Sequence, residues 1–451
     1  MKTNRPIAWI LTACLLAIFP ANILYAQMTQ QPSRLSMMND QQTVTGGLGM
    51  TMIDGKPYYL FHLMPELSFG KIGIGLDVNI RIGEDGKVRH EDFKDAYSYL
   101  RLIRYVRYGA KHEPWYARLG TLDYSNIGHG YIMYMYRNSA SYDLRKIGVE
   151  FDADMKQVGF ESMYSDIGGA GVLGLRGYAR PLQFTDAGAI PILGGLETGI
   201  TFASDFNANA NQTRGEGDVV GQVKRAQKGG ALSIMGFDLG LPLLTHEMIR
   251  STLYADYAKI LNYGSGTTLG LNLQLRGIGI ITVDAKYERR FVGDQFLPSY
   301  FNALYERERY EVQDTLFKSK AQNMRNAVGY GGYFGELVVR VLNTFDIVGG
   351  YQAPLGRKNE GTFHMELLTS DALPGILISG GYDKKNVGSI FKLDNNSLLY
   401  AQVGYKPAPY LVVSMLYEWT FAEVRNDATG EVVGFKAQKR IEPRVGFIVH
   451  F

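Results

Sequence analysis

Seven histidines stand at positions 62, 90, 112, 129, 246, 364 and 450, and among the residue types present they are the most capable of acid–base or metal chemistry. None forms an HExxH pair or another short spacing that would bring two imidazoles to one ion. In extended chain His62 shares a face with Glu66, and His364 with Glu366, while Ser125 lies close to His129. A serine–histidine hydrolase also needs an oxyanion hole and a group that orients the base, and spacing supplies neither. Cys14 is the sole cysteine and falls inside an N-terminal apolar run, so removal of that run leaves no thiol chemistry. Neither catalysis, nor a metal site, nor a cofactor is expected.

Two further groups of residues carry possible function. Arg276, Asp284, Lys286, Glu288 and Arg290 form one mixed-sign row; Glu336 with Arg340, and Arg440 with Glu442 and Arg444, form two more. On neighbouring strands such charges pair and stiffen a wall, or they set up a pore field in which arginine rows favour anions. The signs alternate too evenly for strong selectivity. The second group runs from Tyr124 through Ser125, Asn126, Ile127, Gly128, His129 and Gly130 to Tyr131–Asn138, too apolar and aromatic for a solvated loop. One reading folds it into a lumen, where Tyr124, Asn126, His129, Tyr131, Tyr134 and Arg137 would form a constriction. The other makes it a strand pair with its aromatics in lipid.

The elements that would hold these residues are strands. Ile72, Ile74, Leu76, Val78 and Ile80 alternate with Gly73, Gly75, Asp77, Asn79 and Arg81. Leu269–Leu275 alternates with Gly270, Asn272, Gln274 and Arg276, and Ile281–Tyr287 with Thr282, Asp284, Lys286 and Glu288. An apolar stripe opposite charges, in strand after strand, suits a wall with lipid outside and water inside. Beyond residue 24 no apolar run is long enough for a spanning helix. No basic block stands out, so no nucleic-acid partner is expected.

The last strand reads Arg440–Phe451, with Ile441, Pro443, Val445, Phe447, Val449 and Phe451 on one face. Counting connectors back from it, long and short links alternate: 422–437 long, 406–409 short, 383–397 long, 371–374 short, 293–330 the longest, 206–229 long. The links at 181–191 and 241–248 are longish for the short side. Parity fails between 115 and 145 unless 122–145 is a single external connector.

At the other end Lys2 and Arg5 precede the apolar Ile7–Leu24, with a cleavage site after Ala26. Export, alternation, loop parity and a terminal aromatic together resemble Gram-negative outer-membrane β-barrel proteins, porin-like ones included. The resemblance spans the whole chain, but its motifs are generic. It implies an all-β fold, a single antiparallel transmembrane barrel of about 18–20 strands (range 16–22), with long external loops and mostly short periplasmic turns. Residues 1–26 would be the cleaved signal, 27–42 a short periplasmic segment and 43–451 the barrel. It further implies the cell outer membrane as location, outer-membrane lipid and the barrel assembly machinery as partners, and Phe451 as the assembly signal.

The function expected is a porin-like channel for passive passage of small polar solutes or ions. A non-conducting barrel with a structural or secretion role is the alternative, and a transporter of apolar substrates a second. An apolar outer wall can also bury against another copy, so an oligomer is compatible with the pattern.

Overall fold

The computed structural model describes residues 43–53, 56–93, 96–111, 113–138, 146–208, 230–278, 280–303, 305–313, 316–342, 344–357, 360–369, 373, 375–385, 387, 390, 397–408, 410–425 and 432–450. The segments read as signal (1–26) and periplasmic leader (27–42), and the terminal Phe451, lie outside them.

The alternating stripes form one antiparallel barrel of 20 strands, within the expected range. Ile72–Leu76 and Val78–Gly83 both pair with Lys56–Phe69 and are halves of one strand broken at Asp77. The first strand, Thr43–Ile53, pairs with the last, Val432–His450, from Thr43 opposite His450 to Leu48 opposite Val445, which closes the sheet. Outside, Leu269, Leu271, Tyr287, Phe291, Val403, Tyr405, Val413 and Met415 stand exposed. So large an apolar surface belongs against lipid, because water would make it a site of aggregation. A closed barrel with that exterior is an outer-membrane architecture.

With His450 at the periplasmic end, links alternate as expected. The described residues of the links 84–102, 121–147, 206–231 and 293–329 lie at the external end, while those of 70–71, 247–248, 279–280 and 342–344 lie on the other side. The periplasmic link 180–196 is long and holds three 3-10 turns, Pro181–Phe184, Asp186–Ala189 and Leu193–Gly195. The expected link 241–248 is shorter: Leu232–His246 runs through it, and a register shift between Pro242 and Leu244 absorbs the proline, which has no N–H for the ladder. Likewise the expected long link 422–437 shrinks, because Leu411–Arg425 and Val432–His450 extend into it.

The wall is uneven. Ile103–Tyr108 and Trp115–Gly120 have 6 residues each, against 15 in Leu232–His246 and 19 in Val432–His450. A tilted membrane strand takes about 9–11 residues, so this flank has the lowest ladder. It is also where the chain enters the barrel.

Candidate functional site

Residues 121–138 leave the top of Trp115–Gly120 and fold into the lumen. Ser125–Ile127 pairs antiparallel with Met133–Tyr136, and Phe301–Asn302 from the longest connector joins Met133 and Tyr134 in parallel. The stretch Tyr131–Tyr136 therefore does not cross the membrane, and the parity conflict is removed. The hairpin tip needs glycine: Gly128 has φ +56° and Gly130 φ +91°, and a Cβ on Gly130 would lie 2.5 Å from the Tyr134 ring.

A hydrophobic core lies inside the barrel. Leu122, Ile127, Tyr131, Ile132, Met133 and Tyr136 of the hairpin, with Phe296, Tyr300, Phe301 and Tyr305 of the second connector, pack on Met163, Val172, Ala203, Leu232, Ile234, Ala258, Ile260 and Val292 of the wall. The inner faces of these strands are thus apolar toward the external end and polar below it. The expectation of polar inner faces holds only for the lower part.

Two buried polar nodes fasten the connectors. Tyr136 Oη donates to Glu306 Oε1 at 2.6 Å, Lys146 Nζ donates to Glu306 Oε2 at 2.7 Å, and Arg309 reaches the same oxygen at 3.4 Å. Tyr305 Oη donates to Asp205 Oδ2 at 2.6 Å, and Arg309 pairs with Asp205 Oδ1. Burial, and then the facing carboxylates, push the phenols of Tyr136 and Tyr305 well above their ordinary value, so both remain donors. Asp123 lies among Arg118 at 3.5 Å, Arg104 at 3.7 Å and Arg137 at 3.8 Å. Burial alone would raise its pKa, but the three guanidiniums outweigh it and hold the carboxyl below the usual range.

The six constriction residues occupy different positions. The Arg137 guanidinium sits 5.0 Å over the Tyr124 ring, and Tyr124 lies within electrostatic reach of Tyr400 on another part of the wall. Asn126 stitches the hairpin, accepting from Met135 N at 2.7 Å and donating to Tyr124 O at 3.2 Å. His129 Nδ1 faces Asp256 Oδ1 at 2.9 Å, and its ring stacks on Tyr254 with centroids 4.3 Å apart. Tyr131 is 3% exposed and donates to Thr267 O at 3.1 Å, so it belongs to the packed core. Tyr134 donates to Glu336 Oε1 at 2.6 Å, with Lys286 Nζ 4.1 Å above its ring.

The charged rows pair along and between strands. Arg276 meets Asp284 at 2.7 Å, Lys286 meets Glu288 at 2.9 Å, and Arg290 meets Glu288 at 2.6 Å. Glu336 and Arg340 find other partners, Tyr134 and, at 2.8 Å, Asp346. Arg440, Glu442 and Arg444 stand in register with Glu418, Leu416 and Ser414, and their side chains are outside the described set. The histidine–glutamate pairs do not form: His62 turns to Asp77 at 3.2 Å and Glu66 to Arg104 at 2.7 Å, while His364 turns to Asp383 at 2.5 Å and Glu366 takes the Tyr400 hydroxyl at 2.6 Å.

Sequence reading missed the cluster on the wall beneath the hairpin tip. Arg176 holds Asp238 through two bonds, at 3.0 and 2.6 Å, and reaches Glu161 at 3.0 Å and Glu197 at 2.7 Å. Glu161 Oε2 in turn accepts from Gly128 N at 2.7 Å. The available signal was a charge at an inward position on each of several successive strands, which generic barrel walls also show.

No family model and no curated protein matches the chain. Solved outer-membrane barrels do resemble it. A ferric enterobactin receptor mutant of Pseudomonas aeruginosa is 10% identical, with 91% of this chain and 80% of that one covered at a TM-score of 0.35. Wzi, an outer-membrane protein involved in group 1 capsule assembly in Escherichia coli and described as a carbohydrate-binding β-barrel, is 10% identical, with 93% and 86% covered at 0.36. OccK11 (OpdR) of Pseudomonas aeruginosa is 9% identical, with 91% and 95% covered at 0.31. Likenesses this distant carry no argument about solute or mechanism.

Proposed function

We propose that this outer-membrane barrel is a porin-like channel for the passive passage of small polar solutes or ions, narrowed by the inward residues 121–138. The observation that carries the reading is the contrast between two sides of the lumen. Beneath the hairpin tip the inner-face charges are buried: Arg176, Asp238, Glu288 and Arg290 are at most 5% exposed. Away from it, on Thr362–Thr369 and Ile376–Lys385, the inward pair of His364 and Asp383 meets water, with side chains 41% and 53% exposed, and lower on the same wall as the buried cluster Arg276 and Asp284 are 35% and 25% exposed. Hydrated charges on an inner wall suit a water path running past the connectors. On this reading Tyr124, which carries the Arg137 guanidinium over its ring and lies within electrostatic reach of Tyr400, would edge that path. The barrel would reach outer-membrane lipid through the assembly machinery, with a small polar solute as its cargo.

A second reading is favoured by the apolar core in the lumen. A barrel whose external half is filled by its own loops could be a non-conducting scaffold. The buried apolar inner residues argue less for an apolar substrate, because the connectors already cover them. Planar-bilayer recordings separate the first two. A channel gives unitary current steps that grow when 124–137 is deleted. A scaffold gives none in either form, and equal steps in both would remove the constriction role.

A further inference from the structure

Where the hairpin tip meets the wall, His129, Asp238 and Asp256 bring one nitrogen and two carboxylate oxygens within 4.8 Å of one another. The three come from an external connector and two adjacent strands, Leu232–His246 and Ile249–Ile260. They line a cavity of about 20 Å³ together with Gly128, Thr201 and Gly236. A space of roughly 10–15 Å³ or more admits one water-sized occupant.

Three features separate this place from an ordinary salt-bridged corner. Asp256 is 7% exposed and lines the cavity, yet its Oδ2 is a buried atom without a hydrogen-bond partner. Such an orphan is costly unless something answers it. Charge is also unbalanced: Glu161, Glu197, Asp238, Asp256 and Glu288 face Arg176, Lys286 and Arg290, an excess of two negative charges. Arg180 also touches Glu197, but Asp154 offsets it. Finally, Asp238 is held from behind by the Arg176 fork. A carboxylate has about four lone-pair sites, so two remain, and an orienting partner of this kind is what metal-ligating carboxylates usually have.

We infer that His129 Nδ1, Asp256 and Asp238 bind one first-row divalent cation, with Zn2+ as the best match, and that the ion clamps the inward hairpin to the wall. Zn–N and Zn–O distances of about 2.0–2.2 Å put adjacent ligand atoms about 2.9 Å apart at a right angle and about 3.4 Å apart at a tetrahedral one. The 2.9 Å between His129 Nδ1 and Asp256 Oδ1 is the right-angle spacing, so around a tetrahedral ion this pair opens by about half an ångström while Asp238, within 4.8 Å of both, closes on it. One imidazole and two carboxylates suit Zn2+ better than Ca2+ or Mg2+, which prefer all-oxygen shells. The remaining position goes to water.

The test uses the full-length barrel purified in detergent, stripped with chelator and titrated with Zn2+ by calorimetry, with Mg2+ as the comparison. One Zn2+ per chain is expected, with affinity falling at least tenfold in both His129→Asn and Asp256→Asn. His364→Asn, which removes an exposed histidine–carboxylate pair elsewhere, should leave it unchanged. Zinc should also slow amide exchange at 126–131 in the wild type. No stoichiometric zinc, or zinc lost equally in His364→Asn, overturns the site. Should either site variant fail to fold, X-ray absorption of the zinc-loaded wild type decides: a nitrogen–oxygen shell with one imidazole supports it, and two imidazoles or none refutes it.

Discussion

Replacing Tyr136 by Phe removes one oxygen atom, and with it one of the bonds that tie the two inward connectors together. The side chain is completely buried, and its hydroxyl gives Glu306 a hydrogen bond of 2.6 Å. Packing of the ring against Tyr305, with centroids 6.2 Å apart, is preserved. A hydrogen bond to a charged group is worth about 1.5–3 kcal/mol, and Glu306 keeps Lys146 and Arg309, so the lower half of that range applies. If opening of the hairpin breaks this bond, the open fraction rises by roughly 10- to 50-fold. Amide exchange followed by mass spectrometry in detergent reads it directly. Peptides within 121–138 and 296–303 should exchange faster by that factor, while a wall peptide within 232–246 stays as protected as before. Because the phenol is held protonated, the difference should persist from neutral to moderately alkaline pH. Unchanged exchange in both connectors would refute the idea that Glu306 joins them. Uniformly faster exchange in the wall would show that the hairpin is part of the barrel's global stability instead.

Other perturbations follow from the same geometry. Gly128→Ala places a Cβ on a residue at φ +56°, which costs about 1–2 kcal/mol and should loosen 121–138 without changing the temperature at which the barrel unfolds in a gel-shift assay. The folded pKa of Asp123 is depressed, so its stabilisation is complete above the unfolded value near 3.8 and is lost only as pH falls through the lower folded value. Hairpin exchange, corrected for intrinsic rates, should therefore be flat from pH 8 to 5 and rise only in stronger acid. Asp123→Asn should raise it throughout that range. His364→Ala breaks an exposed pair worth at most about 1 kcal/mol, and the unfolding midpoint should barely move.

The wall was legible because strand alternation is local: Leu269–Leu275 and Ile281–Tyr287 declare their lipid faces within a few residues. The inward hairpin was legible only by subtraction, since counting links down from the last strand left 122–145 without a place in the wall. What the hairpin touches was not legible. His129 meets Asp256 across 127 positions, and Tyr136 meets Glu306 across 170, so no spacing encodes either contact. Nor did alternation reveal the apolar part of the lumen. Where inner residues such as Ile234, Ala258 and Ile260 are apolar beside an apolar outer face, the stripe loses its contrast and inside cannot be told from outside. The Tyr131 ring illustrates the same gap: an aromatic in an inward segment reads as a pore-lining group, but here it is packed beneath Phe296 at a centroid distance of 5.5 Å.

The most direct test of a water path edged by the inward connector uses a single introduced cysteine in a Cys14→Ser background. Tyr124→Cys barrels, confirmed folded, are recorded in a planar bilayer before and after a charged thiol reagent is added from the external side. A stepwise fall in unitary current is expected, with no change in Leu269→Cys, whose side chain faces lipid. Steps untouched by the reagent in Tyr124→Cys, with labelling verified by mass, would contradict the constriction, and the absence of any unitary current in the wild type would contradict the channel.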